Sequence, residues 1–398
     1  MNARFWGVEG PKDRQTGGRL RQVVAAVSVA LAVGTGWATA AQATTWYAAN
    51  NGLDDNPCTK TAPCRSVTKT MAVASEGDTI IVGPGLYGDL NRDGIVGNTA
   101  GEETPVEFEA GKAAMIDVTK RVTIVSSDGA LSTVLDANGG SWWAVVVEAN
   151  GAVIGKANKG FTIRNQRAEG FRGLAVFAWA KPQEAPTGVT VQGNVAVLNE
   201  FGFGFVGTRN AAKGNLAIDN LTGFVIQGTG TLVTANVAQG NTMGFAVGPA
   251  GATSLAKNVA IDSEADGFFV FLLPDYTAPL SAFGGNTAAG NGFAGVEFQT
   301  DGTFSAPLSV GPLAGNNLFG NGASARNCGL FVNNRDTNHN SLTVTASGNF
   351  WGAASGPGAD PADAAGTSDC ISSAGGDVTV VTAPFATKQF RLSPPKIK

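Results

Sequence analysis

Asp89, Asn91 and Asp93 stand at alternate positions in the run Asp89-Leu90-Asn91-Arg92-Asp93-Gly94. Oxygen-bearing side chains so spaced, with a Gly at the bend, match the opening of a calcium loop. The closing acid is absent from its usual place, which is Ala100; Glu102 and Glu103 come two and three residues late. The flanking segments read as strands rather than paired helices, and an ordinary Asp/Asn/Gly turn is the other reading. Calcium is the one cofactor the chain suggests, with Asp89, Asn91 and Asp93 as its ligands.

Acidic residues also recur further on. Asp219 and Asp262 share one position of a repeat, Glu200 and Glu264 another, and Asp266 follows. In stacked strands two steps apart, Asp219 and Asp262 would stand roughly 10 Å from each other. That is near the upper end of the carboxylate spacing of inverting glycosidases; a solvated acidic edge is the alternative. Lys257 and Arg335 are the cations that would make such an edge catalytic. Glu200, Glu264, Asp266 and Tyr276 are ligand-binding candidates, Tyr276 because a ring on a protruding loop can stack on a sugar. Arg335, Asp336 and the one His, His339, lie together, where a surface turn is again the simpler reading. The GxGxxG spelled by Gly202 to Gly207 falls inside a repeat and reads as no dinucleotide loop.

These residues hang on a periodic frame. Asn194, Asn215, Asn236 and Asn258 open near-identical segments at steps of 21, 21 and 22 residues, with Asn286 a weaker copy 28 residues on. A period near 21 signals a solenoid. A second column holds Asn199, Asn220, Asn241, Ser263 and Asn291. Both columns read as structural: Asn tolerates left-handed turns and its amide can ladder between stacked coils. Offset two is always Ala (Ala196, Ala217, Ala238, Ala260, Ala288), between larger apolar residues such as Val195 and Val197. Period two then predicts that the larger residues face the core and the Ala column faces out, a smooth strip for a flat ligand. A second apolar stretch follows a Gly in each copy, as at Gly223-Phe224, so each coil carries at least two strands.

Ahead of the repeats, Thr45 to Ala48 reads as a strand. Val67, Met71 and Ala74 fall on one helical face, and Thr79 to Val82 is a second strand before Gly83-Pro84-Gly85. Such a helix would cap the open end of the core. The run Ala62-Pro63-Cys64-Arg65-Ser66-Val67, then Met71 to Ala74, then Gly77 to Tyr87, resembles the N-terminal cap and first coil of right-handed parallel β-helix proteins, a group that includes the pectate-lyase-like superfamily. Asn349-Phe350-Trp351-Gly352 and its continuation to Pro357 resemble a stretch that follows the last coils in bacterial β-helix repeat proteins. The resemblance implies an all-β fold: one right-handed parallel β-helix with a short N-terminal capping helix. It implies no single activity, because this scaffold carries many. The paired Asp and Gly-His-Gly of polygalacturonases are missing. So are the Trp-Ile-Asp-His segment and Arg-rich strand of the best-known pectate lyases, and the pectinesterase and alginate-epimerase signatures.

The remaining bounds are compositional. Gly is high at 55 residues, charged residues are low at 15%, and the net charge of −4 argues against a nucleic-acid partner. Residues 1–43 read as a signal peptide: a basic segment, a short apolar run from Val23 to Gly34, and Ala41-Gln42-Ala43 at the cleavage point. The run is too short for a comfortable membrane span. An uncleaved anchor is the other reading. Residues 44–90 then form the cap and first coil, 91–390 the coils, and 391–398 a tail. Of the three pairings of four cysteines, Cys58–Cys64 with Cys328–Cys370 is the simplest. The expected function is a secreted, periplasmic or cell-surface protein that binds a glycan or matrix polymer along its flank, catalysis not being evident. The alternative is a calcium-dependent polysaccharide lyase or another glycan-active enzyme.

Overall fold

The computed structural model describes residues 42–109, 111–166, 168–177, 184–248, 251–274, 280–322, 328–358 and 368–391. Contacts divide the chain into Met1–Gln42 and Ala43–Lys398, and only the second is described below.

One coil is Ala211–Lys213, Leu216–Ile218 and Thr222–Ile226, after which Leu232–Thr234 begins the next. Each strand pairs in parallel with its counterpart one coil on. The coils so build a ten-stranded sheet from Thr45–Ala48 to Leu313–Ala314, a nine-stranded sheet from Gly85–Gly88 to Asn317–Phe319, and an eleven-stranded sheet from Val106–Glu109 to Ile371–Gly375. We call these the first, second and third sheets. Among the described residues the one antiparallel pair is Val106–Glu109 against Lys112–Val118. Parallel neighbours joined by crossovers take the right hand, the hand in which twisted strands pack back on the core, and the molecule is a right-handed parallel β-helix. The sequence marks at least two strands per coil; the third, in the first sheet, is not marked because segments such as Ala211-Ala212-Lys213 are three residues long and carry no clear alternation.

The ladder of asparagines is present and runs further than the repeats suggest. Asn194 donates its backbone N–H to Asn215 Oδ1 at 3.0 Å, and Asn215 does the same to Asn236 at 2.9 Å. The chain of contacts continues through Asn258, Asn286 and Asn316 to Asn349. The second column runs from Asn199 to Asn241 and, beyond Ser263, from Asn291 to Asn321 and Asp369. These asparagines do not themselves take the left-handed conformation. That falls to the residue before each: Ala235 (φ 55°), Lys257 (φ 59°) and Gly285 (φ 66°) at one corner, Asp219 (φ 54°), Gly240 (φ 62°) and Asp262 (φ 54°) at the other. The turn is made by the preceding residue and stitched by the amide.

The Ala column faces the opposite way from the sequence expectation. Ala196, Ala217, Ala238, Ala260 and Ala288 are fully buried in the core, while Val197, Leu216 and Ile218 are half-buried. The strand is three residues long between two tight corners, so its middle residue points inward. Only a small side chain fits there. Opposite it, Phe203, Phe224, Phe245 and Phe268 stack along the axis with centroids 5.1, 4.6 and 4.7 Å apart. Large rings on one wall demand methyl groups on the other at constant cross-section. The glycine column beside the rings is set by the same crowding: a Cβ on Gly223 would lie 2.7 Å from Gly244 O and 3.2 Å from the Cβ atoms of Ala217 and Ala238.

The helix Val67–Val73 caps this core with Val67, Thr70 and Met71. Ser66 is its N-cap, accepting from Lys69 N at 3.1 Å. Glu103 adds a second cap, its two oxygens accepting from Val67 N at 2.9 Å and Thr68 N at 2.7 Å. Carboxylates suit these orphan donors at a helix start. The disulfides are Cys58–Cys64 and Cys328–Cys370.

Candidate functional site

Strands of the third sheet alternate inward and outward, so its outer surface can be read from register. Val296 and Phe298 fill the core, which turns Glu297 and Gln299 outward. Glu297 lies in line between Phe269 and Phe331, and Gln299 between Phe271 and Asn333. Neighbours in such a row are about 4.8 Å apart. Phe293 packs edge-on against Phe331 at 5.6 Å.

Asp266 ends the turn before Phe268 and accepts from Ala294 N at 3.1 Å. Burial, reinforced by the charge of Glu297, pushes its carboxyl up to about 8 against the pull of that N–H. Burial likewise raises Glu297, with an Asn333 hydrogen bond and the Arg335 charge opposing. Asp266 and Glu297 therefore form a coupled pair in which ionising one discourages the other. Arg335, exposed at the end of Leu330–Asn334, is anchored by its backbone N–H to Thr300 Oγ1 at 2.6 Å. With the Asn333 amide turned so that its oxygen faces the guanidinium, Arg335 Nε and Nη2 both donate to it at 3.1 Å. The cluster offers a carboxylic acid that keeps its proton at neutral pH, a fixed cation, two amides and aromatic walls. Such a set can donate a proton to an ether oxygen, hold a carboxylate or hydroxyl, and stack on a ring.

Among the residues named from sequence, the structure joins Asp266 and Arg335 through Glu297, which sequence reasoning missed. The signal was available, since the Gly295-Val296 step shared with the other coils turns residue 297 outward. Asp219 and Asp262 do share a column two coils apart, with Gly240 between, both exposed at the corner of the second and third sheets. Lys257 occupies the other corner, across the strand Val259–Ile261, and does not meet them. Glu200 is half of a buried ion pair with Arg172 at 2.9 Å and also accepts from Gly170 N. Glu264 accepts from Thr242 Oγ1 at 2.8 Å. Tyr276 lies outside the described residues. His339 is exposed (φ 55°). Desolvation would raise Asp336, but the N–H groups of Phe304, Asn338 and Asn340 that it accepts outweigh this and hold its carboxyl at about 2.

The Asp89 loop is tied by its own hydrogen bonds. Asp89 Oδ1 accepts from Arg92 N at 2.7 Å, and Oδ2 from Gly94 N at 2.8 Å and Asn138 Nδ2 at 2.9 Å. Asp93 accepts from Ile95 N and Asn98 Nδ2, and Asn91 Oδ1 from Asp93 N. Glu102 collects the N–H groups of Leu90, Gly97, Asn98 and Thr99. These oxygens face donors, and a calcium ion would have to displace them. No group of three His, Cys, Asp or Glu side chains among the described residues is arranged to hold a metal.

No protein-family model matches the chain, and no curated protein matches it. Solved structures similar to it include pectate lyase Pel9A (18% identity, 87% of this chain and 78% of that one, TM-score 0.45). A rhamnogalacturonan lyase is similar at 12% identity, over 87% of this chain and 89% of that one, TM-score 0.41. The lacto-N-biosidase of Eubacterium ramulus, as its selenomethionine derivative, is similar at 9% identity, over 85% and 68%, TM-score 0.43. At TM-scores below 0.5 these likenesses carry no argument about activity. By its own coils and its three long sheets of parallel-stacked strands, the chain is a right-handed parallel β-helix repeat protein.

Proposed function

We propose that this protein binds an extended polysaccharide along the outer surface of its third sheet, at the Phe269, Glu297, Phe331 and Arg335 patch. The observation that carries the reading is the register itself: aromatic and hydrogen-bonding side chains follow one another at strand spacing in two adjacent rows. The half-buried Phe269 ring supplies a stacking face and the exposed Arg335 a directional polar contact, with Glu297, Gln299, Phe331 and Asn333 buried behind them. The test is affinity electrophoresis of the purified chain through gels holding single polysaccharides. Retardation on at least one polymer is expected, weakened several-fold by Arg335→Ala with the unfolding midpoint unchanged, and by Glu297→Gln with the midpoint unchanged or raised. Equal retardation of both variants would put the ligand elsewhere.

A second reading, a glycan-active enzyme, is supported by the Asp266–Glu297 pair. A carboxylic acid protonated at neutral pH can protonate a leaving glycosidic oxygen. Digests of uronate and neutral polysaccharides, with calcium and with chelator, separate the cases. Absorbance from unsaturated sugar ends that needs calcium marks a lyase; new reducing ends without that absorbance mark a hydrolase. If neither product forms, binding alone is left. Export to an oxidising compartment is supported by the two disulfides together with the leader-like residues 1–43. An N-terminus at Thr44 in the exported protein, read by mass spectrometry, is the expected result.

A further inference from the structure

The two ends of the β-helix are finished differently. At the N-terminal end the helix Val67–Val73 covers the core. At the other end the third sheet stops at Ile371–Gly375, and a three-stranded sheet of Leu308–Val310, Leu342–Thr345 and Val378–Val381 stops at the last of these. Among the described residues both final strands have a partner on one side only. Ile371, Val378 and Val380 pack against the core yet are only half-buried. Beyond them Val381, Phe385 and Phe390 are exposed. The segment that follows ties itself to the second sheet instead, where Asn317 accepts from Phe390 N at 2.8 Å and donates to Phe390 O at 3.1 Å.

Backbone direction shows what the edge of Val378–Val381 offers. Leu342 N donates to Asp377 O at 2.9 Å and Ala346 N to Val381 O at 2.7 Å. Successive residues of a strand face opposite neighbours, so residues 377, 379 and 381 address the preceding coil, and Val378 and Val380 turn their N–H and C=O groups away from it. Native proteins blunt such edges with charges, prolines or bulges. Val-Thr-Val-Val carries none of these and has a strong strand preference. A further strand would meet the outward groups and cover the half-buried valines together.

A second copy of this chain fits that need. Antiparallel pairing about a two-fold axis at Thr379 sets Val378 opposite Val380 twice over, and every outward N–H and C=O of both valines is used. Thr379, exposed, then faces its own counterpart at a non-hydrogen-bonded position, with Cβ atoms about 4.5–5.5 Å apart. Charge agrees with this arrangement. The strand is neutral, Asp377 stands just before it, and Lys388 and Arg391 lie on the segment after it. Antiparallel pairing lays the start of one strand by the end of the other, which turns the acid of one copy toward the basic segment of the next.

We propose that the C-terminal end of this β-helix is a dimer interface, two copies joining antiparallel through Val378–Val381. The inference is independent of the glycan reading. Sedimentation velocity over about a hundred-fold range of protein concentration should show a monomer–dimer equilibrium. Thr379→Lys and Thr379→Glu should each weaken the dimer by about tenfold or more, because like charges then meet across the axis, with the unfolding midpoint of the monomer unchanged. An equimolar mixture of the two variants should recover the dimer, which a merely structural effect of either substitution would not do. A monomer at every concentration overturns the interface and leaves the edge to an extended strand of another protein. Growth beyond two subunits, dimerisation unaltered in both variants, or no recovery on mixing overturns it as well.

Discussion

The side-chain oxygen of Asn236 accepts two hydrogen bonds from Asn215, one from its backbone N–H at 2.9 Å and one from Nδ2 at 3.0 Å. Asn236 Nδ2 in turn donates to Ala212 O at 3.0 Å and to Asn258 Oδ1 at 3.1 Å. All of this is buried, so Asn236→Ala strands two donors at once. A loss of about 2–4 kcal/mol is expected in urea unfolding. Asn236→Asp keeps the acceptor but loses the amide donors and buries a charge, and should cost at least as much. A loss under about 1 kcal/mol in both would mean the ladder is replaceable by water.

The inward direction of the Ala column can be checked by enlarging it. Ala238→Leu should destabilise by about 1–3 kcal/mol or more, because a core packed against the Phe224–Phe245 stack has no room for extra carbons. Gln239→Leu, one residue on and exposed, should stay within about 0.5 kcal/mol. The reverse order of costs would restore the outward reading.

Asp266 makes stability fall as pH rises. Its folded value of about 8 lies above its ordinary value of 3.8. Between those values the folded state holds a proton that the unfolded chain has released, so unfolding free energy decreases with pH across the window and levels off above it. Glu297, also raised, acts in the same direction. Asp266→Asn should therefore be more stable relative to the native chain at pH 8.5 than at pH 4, by roughly 1.4 kcal/mol for each pH unit crossed between the two values. Parallel denaturation curves at both pH values, with a constant offset, would show the carboxyl to be ordinary.

The two disulfides should differ in worth. Cys328–Cys370 closes a separation of 42 residues and Cys58–Cys64 one of 6. Loop entropy gives about 4 kcal/mol for the first and about 2 kcal/mol for the second. Replacing each pair by Ser, with unfolding followed by denaturant, should show that order.

Several features were legible in the chain itself. The period of 21 residues, both Asn columns, the capping helix and the Cys58–Cys64 pair are local or repetitive signals, and repetition lets a weak preference be counted many times. The Asp89 run is also local, yet its oxygens are occupied by N–H groups from its own loop and from Asn138, a contact made only on folding.

Other features follow only from the packing of one coil on the next. Ala fits either side of a strand, so the direction of Ala196 and its successors was set by the cross-section left beside the phenylalanine stack. Asp266, Glu297 and Arg335 lie on three successive coils whose lengths have drifted from the period, and nothing in their sequence spacing marks them as neighbours. Register across the third sheet brings them together, and burial there raises Asp266 and Glu297. The coil could be read from the chain because it is a one-dimensional repeat. The surface chemistry could not, because in a β-helix the neighbours that matter lie one turn away rather than one residue away.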